Sequence, residues 1–78
     1  MVSLYVDRYR LVVYPNDHPP PHVHVMGAGW EIRIAITHPP AVLSIGGRAR
    51  RADVTRSLVA VANKRLDLMN LWESVHGE

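Results

Sequence analysis

The spacing of apolar residues changes once along this chain, at Gly46-Gly47, and that change limits the folds open to it. Before it, apolar residues alternate. Trp30, Ile32, Ile34 and Ile36 fall on one face of an extended segment, and Glu31, Arg33 and Ala35 on the other. After it, Val54, Leu58, Val61, Leu68, Trp72 and Val75 recur at intervals of three, four or seven, as a helix stripe requires, with Leu66, Met69 and Leu71 broadening the stripe. A sheet with one apolar face and a helical region with one apolar stripe bury each other. The expected fold is therefore α+β. An antiparallel meander of three to five strands packs in two layers against a C-terminal helical region, in one domain spanning residues 1–78.

Prolines and glycines divide the first half. Pro19-Pro20-Pro21 and Pro39-Pro40 remove backbone donors and fix φ, so each cluster breaks an element or lies beside a sheet edge. Gly27, Gly29, Gly46 and Gly47 mark further turns. Strands are expected at Tyr9 to Tyr14, preceded by a short one at Leu4 to Val6, and at His22 to Met26, Trp30 to Ile36 and Ala41 to Ile45. Asn63-Lys64 is the expected kink or break in the helical region, which gives one bent helix or two helices at about 50–62 and 64–75.

The chain has no cysteine, so disulfide staples, cysteine-type zinc fingers and thiol chemistry are excluded. No apolar run approaches the ~18 residues of a membrane helix, and no basic start leads into an apolar secretion signal. A cytoplasmic protein without membrane attachment is the expectation. Nine basic and seven acidic side chains give a net charge of +2, too small an excess to indicate a polyanion partner by itself. Their distribution says more. From Gly46 to Arg65, Arg48, Arg50, Arg51, Arg56, Lys64 and Arg65 face a single acidic residue, Asp53. That field suits nucleic acid or an acidic protein surface, although a solvated helix start reads the same way. Asp53 itself fits a cap on free amides at the start of the helical region.

The unusual segment runs from Asn16 to Val25, with Asp17, His18, His22 and His24 around a stiff proline turn. On a strand, residues two apart leave the same face ~6–7 Å apart, so His22 and His24 stand side by side while Val23 and Val25 point the other way. Three readings are open. The residues could cap the proline turn and bond loose backbone groups. Two neutral imidazoles could bind zinc, copper or nickel with His18, Asp17 or His38 as third ligand, although the spacing matches no established zinc signature. Or the pair could move protons on a phosphodiester, one ring accepting while the other donates. Arg33, on the same face of the next strand, or Arg48, Arg50 or Arg51 would then neutralise the developing charge. RNA cleavage by this route needs no cofactor, and neither cofactor nor metal is expected. Ser3, Ser44, Ser57 and Ser74 have no nucleophile-elbow context.

The run Asp17-His18, two prolines, His22, one residue, His24-Val25 resembles the signature of a small bacterial family, domain of unknown function 4160. The resemblance takes in the strand Leu11 to Tyr14, the Gly29-Trp30-Glu31-Ile32-Arg33-Ile34 segment and the helical Leu68-Met69-Asn70-Leu71-Trp72, from about residue 8 to residue 76. Three prolines stand where the pattern has a variable residue and two, and Val23 replaces an aromatic between the histidines. The resemblance implies a compact α+β protein from bacteria or their mobile elements, of a kind regarded as toxin–antitoxin components. It also implies a shared site at Asp17, His18, His22, His24 and Glu31.

Together these readings give the expected function: a toxin–antitoxin-type protein that binds or acts on nucleic acid, RNA above all. His22, His24, Asp17, His18 and Glu31 would be its catalytic set, and Arg33, Arg48, Arg50, Arg51 and Arg56 would hold phosphate. The mechanism requires both imidazoles on the watery face, within reach of the guanidinium groups. The alternative is a non-catalytic interaction module, such as an antitoxin-like partner or phage-encoded inhibitor, that binds a small protein or nucleoprotein surface or pairs with itself as a homodimer.

Overall fold

The computed structural model describes residues 2–77. Five strands, β1 (Val2–Val6), β2 (Tyr9–Val13), β3 (His22–Gly27), β4 (Trp30–Ala35) and β5 (Ala41–Gly47), precede two helices, α1 (Arg51–Asn63) and α2 (Arg65–His76). The strands form one antiparallel sheet in chain order, β1-β2-β3-β4-β5. This is the α+β meander expected, and the helical region is two helices divided at Lys64, whose ψ of 18° leaves the helical range. β1 is longer than the sequence suggests, β2 stops before Tyr14, and β5 runs on through Gly47.

Register explains the core. Leu11 faces Val25, Val25 faces Ile32, and Val23 faces Ile34, so one apolar row crosses the three central strands. With Tyr9, Val13 and Ile36 this face buries Val61 of α1 and Leu68 and Trp72 of α2. Met69 and Leu71 pack against the cluster, whereas Leu66 points to solvent and does not broaden the stripe. The opposite face carries a second row through all five strands: Ser3, Val12, His24, Arg33 and Ser44. Val12 in that row is fully buried.

Two glycines fix the turns at one end of the sheet. Gly29 has φ +79° in the two-residue turn between β3 and β4, a conformation that glycine adopts without steric cost. Gly47 has φ +78° where β5 leaves the sheet, and a Cβ there would collide with the Gly29 carbonyl oxygen. Arg48 N–H donates to that same oxygen at 3.1 Å, so the β3–β4 turn anchors the approach to α1. Asp53 caps the helix as its position suggests, accepting from Arg50 N–H at 2.9 Å. Tyr9 Oη also donates to Asp53, at 3.4 Å. No helix of the described residues is long and apolar enough to cross a membrane.

Candidate functional site

Two histidines and two carboxylates meet on the sheet face away from the helices. His22 and His24 leave β3 on that side because Val23 and Val25 occupy the core. Glu31 stands on the neighbouring strand, and its carboxylate accepts a hydrogen bond from His24 Nδ1–H. Asp17 comes from the proline-rich loop after β2, which folds back until Asp17 Oδ2 lies 2.8 Å from His24 Nε2 and 3.4 Å from His22 Nε2. The Pro19–Pro20 peptide bond in this loop is cis. The Pro20 carbonyl accepts from His22 Nδ1–H at 2.9 Å.

The two imidazoles therefore share one arrangement. Each has its Nδ1 turned to an oxygen acceptor and its Nε2 turned to the same carboxylate oxygen. Because the Pro20 carbonyl can only accept, the proton of neutral His22 sits on Nδ1 and a lone pair occupies Nε2. His22 Nε2 is buried and makes no hydrogen bond, since in this tautomer it and the Asp17 carboxylate oxygen 3.4 Å away are both acceptors. One donor atom from each of His22, His24 and Asp17 can be chosen so that all three lie within 4.8 Å of one another.

The rings also form a continuous row. Tyr14 stands edge-on to His24 with centroids 4.8 Å apart, His24 lies 5.2 Å from His22, and His22 lies 5.5 Å from Trp72 of α2. Trp72 is stacked on His76 at 3.7 Å, and His76 Nδ1–H donates to the Trp72 carbonyl at 3.0 Å. His76 thus closes α2 as an ordered helix-terminal residue.

The histidines do take the face opposite the core, but not as water-exposed groups. His22 is 5% exposed and His24 9%, because the returning loop and its carboxylates cover them. Sequence periodicity assigns a face and carries no information on a loop folded across it. His18 is exposed and lies on the rim of a recess with Asn16, Asp17, Pro19, Pro20, His22, Arg33 and Leu43. Arg33 is held there by its Nε–H donating to Ser44 Oγ at 2.8 Å. His38 is an exposed loop residue away from the cluster.

The remaining arginines are elsewhere. Arg48, Arg50 and Arg56 line a groove at the other end of β3, with Arg8, Tyr9, Gly27, Trp30 and Asp53. Of the expected phosphate-holding set, only Arg33 shares the histidine recess, and Arg51, the first residue of α1, lines neither. The cause is the meander. β3 enters the sheet at His22 and leaves it at the turn beside which α1 begins, so its histidines and the arginines at the start of α1 occupy opposite ends. Sequence reasoning passes over Arg8, which lies in the β1–β2 turn, and places Trp30 only on the apolar face of its strand, where it packs against the core. The pairing of Gly27 with Trp30 brings the indole onto the groove, with Tyr9 edge-on at 5.3 Å.

The fold and cluster define a class: a small five-stranded meander in which a proline loop returns an aspartate onto two histidines of one strand. The chain belongs to the family described as Domain of unknown function (DUF4160), whose model matches residues 9–73. That span includes every member of the Asp17–His22–His24–Glu31 cluster. No curated protein and no solved structure gives a significant match.

Proposed function

We propose that this protein is a small nucleic-acid-binding module of toxin–antitoxin type, with RNA as its ligand. The observation that carries the reading is the groove between the β3–β4 turn and α1. Four exposed arginines, Arg8, Arg48, Arg50 and Arg56, converge there beside Trp30. Among the described residues none of the four guanidinium groups is paired with a carboxylate. Planar guanidinium forks match phosphate oxygens, and an aromatic rim offers a base a stacking surface. Asp53, which also lines the groove, accepts from Tyr9 and the Arg50 amide and so has partners other than the guanidinium groups. Cleavage is not part of the proposal, because buried His22 and His24 line a different recess from this arginine set.

The test is fluorescence anisotropy of a labelled single-stranded RNA oligonucleotide at low salt. Binding that weakens as salt rises is expected, and Arg48→Ala with Arg56→Ala should flatten the logarithmic salt slope by about 0.7 for each phosphate no longer neutralised. Absence of binding by folded protein at low salt, or binding indifferent to both arginines, would overturn the reading.

A second reading, a protein-interaction module, is favoured by β5. It is an edge strand without a charged side chain, and Val42, Leu43 and Ile45 are 37%, 42% and 54% exposed. An apolar edge of this kind accepts a further strand from a partner. Light scattering of the purified chain and co-purification with a small protein would reveal such a complex, and Ile45→Lys should disperse it.

A further inference from the structure

We infer that Asp17, His22 and His24 form a binding site for one divalent cation of the zinc class. The site is independent of the nucleic-acid reading, since it uses none of the groove residues. The first argument is convergence. Three donor atoms, Oδ2 of Asp17 and Nε2 of each histidine, gather with Asp17 Oδ2 at 2.8 and 3.4 Å from the two nitrogens. Ligands held at the usual zinc bond lengths of about 2.0–2.1 Å in a tetrahedron stand about 3.3 Å apart, between those two separations.

The second argument is the outer hydrogen bonds. A metal-bound imidazole characteristically donates its other N–H to a carboxylate or a backbone carbonyl, which fixes the tautomer and aims the lone pair. Both histidines have that partner already, Glu31 for His24 and the Pro20 carbonyl for His22.

The third argument is the unpartnered nitrogen. A second proton on His24 would satisfy the His24–Asp17 pair. It would leave His22 Nε2 buried, without a hydrogen bond and directed at the same oxygen. Such an orphaned acceptor is costly in a protein interior. One cation at the convergence point satisfies all three atoms at once. Two nitrogens and one oxygen suit zinc, cobalt or nickel in preference to calcium or magnesium, which favour oxygen ligands alone. Three protein ligands leave a fourth position, and the recess bounded by His18, Arg33 and Leu43 is the opening beside it.

The experiment uses the untagged full chain, stripped with EDTA and titrated with cobalt(II), then with zinc as competitor. Visible ligand-field bands saturating at one cobalt per chain, and their loss on zinc addition, are the expected result. The wild-type spectrum decides the matter without any variant. Folded protein that shows no such bands, or that binds zinc no better than buffer does, overturns the inference. His22→Gln should weaken zinc binding at least tenfold, and Glu31→Gln, which removes no ligand, by about 10–100-fold through loss of the outer hydrogen bond. His38→Ala should bind as wild type does. Affinity that follows His38 and ignores His22 would overturn the assignment.

Discussion

Asp17 and His24 lie seven positions apart in the chain and 2.8 Å apart in space, and Glu31 lies seven positions beyond His24 on its other ring nitrogen. The imidazole is thereby clamped between a loop and a neighbouring strand. Asp17 ties the proline loop to the sheet beside the bonds that the Pro20 and Pro21 carbonyls accept from His22 and Ile36. In metal-free protein, Asp17→Ala should cost about 1–3 kcal/mol by urea unfolding, since it strips the buried His24 Nε2 of its hydrogen-bond partner. A loss below about 0.5 kcal/mol would show that the bonds from His22 to the Pro20 carbonyl and from the Ile36 amide to the Pro21 carbonyl suffice to hold the loop.

The glycine pair at the end of β5 offers a paired comparison. Gly47→Ala places a side chain at φ +78° and against the Gly29 carbonyl, so a loss of more than about 1 kcal/mol is expected. Gly46 has no such φ, and an added Cβ there meets only the Glu31 carbonyl at 3.7 Å, an ordinary van der Waals distance. Gly46→Ala should leave the thermal midpoint nearly unchanged. Equal effects at the two positions would contradict the backbone geometry.

Asp53 joins the start of α1 to the sheet through the Arg50 amide and Tyr9. Asp53→Ala should destabilise by about 1 kcal/mol. Tyr9→Phe, which removes only the long 3.4 Å bond, should cost less. The ordering of the two variants in denaturant midpoint is the measurement, and a reversed order would place the weight on the hydroxyl.

Leu11 is fully buried in the row that crosses the central strands. Leu11→Ala should cost about 2–5 kcal/mol, a large share of what a 78-residue domain has to lose. Lower denaturant midpoint with unchanged slope is the expected signature.

The sheet, the two-helix region and the shared face of His22 and His24 were legible because each depends on local period. The alternation from Trp30 to Ile36 marks a half-buried strand wherever it sits, and Asn63-Lys64 interrupts a stripe that can be counted residue by residue. Burial of the histidines was not legible. It depends on the path of residues 14–21 across the sheet, and nothing in the spacing of His22 and His24 encodes that path. Nor was the separation of the arginines from the histidines. It arises from the strand order and from which end of β3 meets the start of α1, a relation between segments that no single segment carries. Asp17, His22, His24 and Glu31 do meet in one cluster, whereas of the arginines drawn from charge alone Arg33 shares their recess and Arg48, Arg50 and Arg56 line a separate groove.

The row of rings from Tyr14 to His76 gives the molecule an optical consequence. Of its two tryptophans, Trp72 lies beside His22 and Trp30 borders the arginine groove. Each indole therefore watches a different end of the sheet. With Trp30→Phe or Trp72→Phe in place, intrinsic emission becomes a label-free gauge of events at one end while the other stays silent.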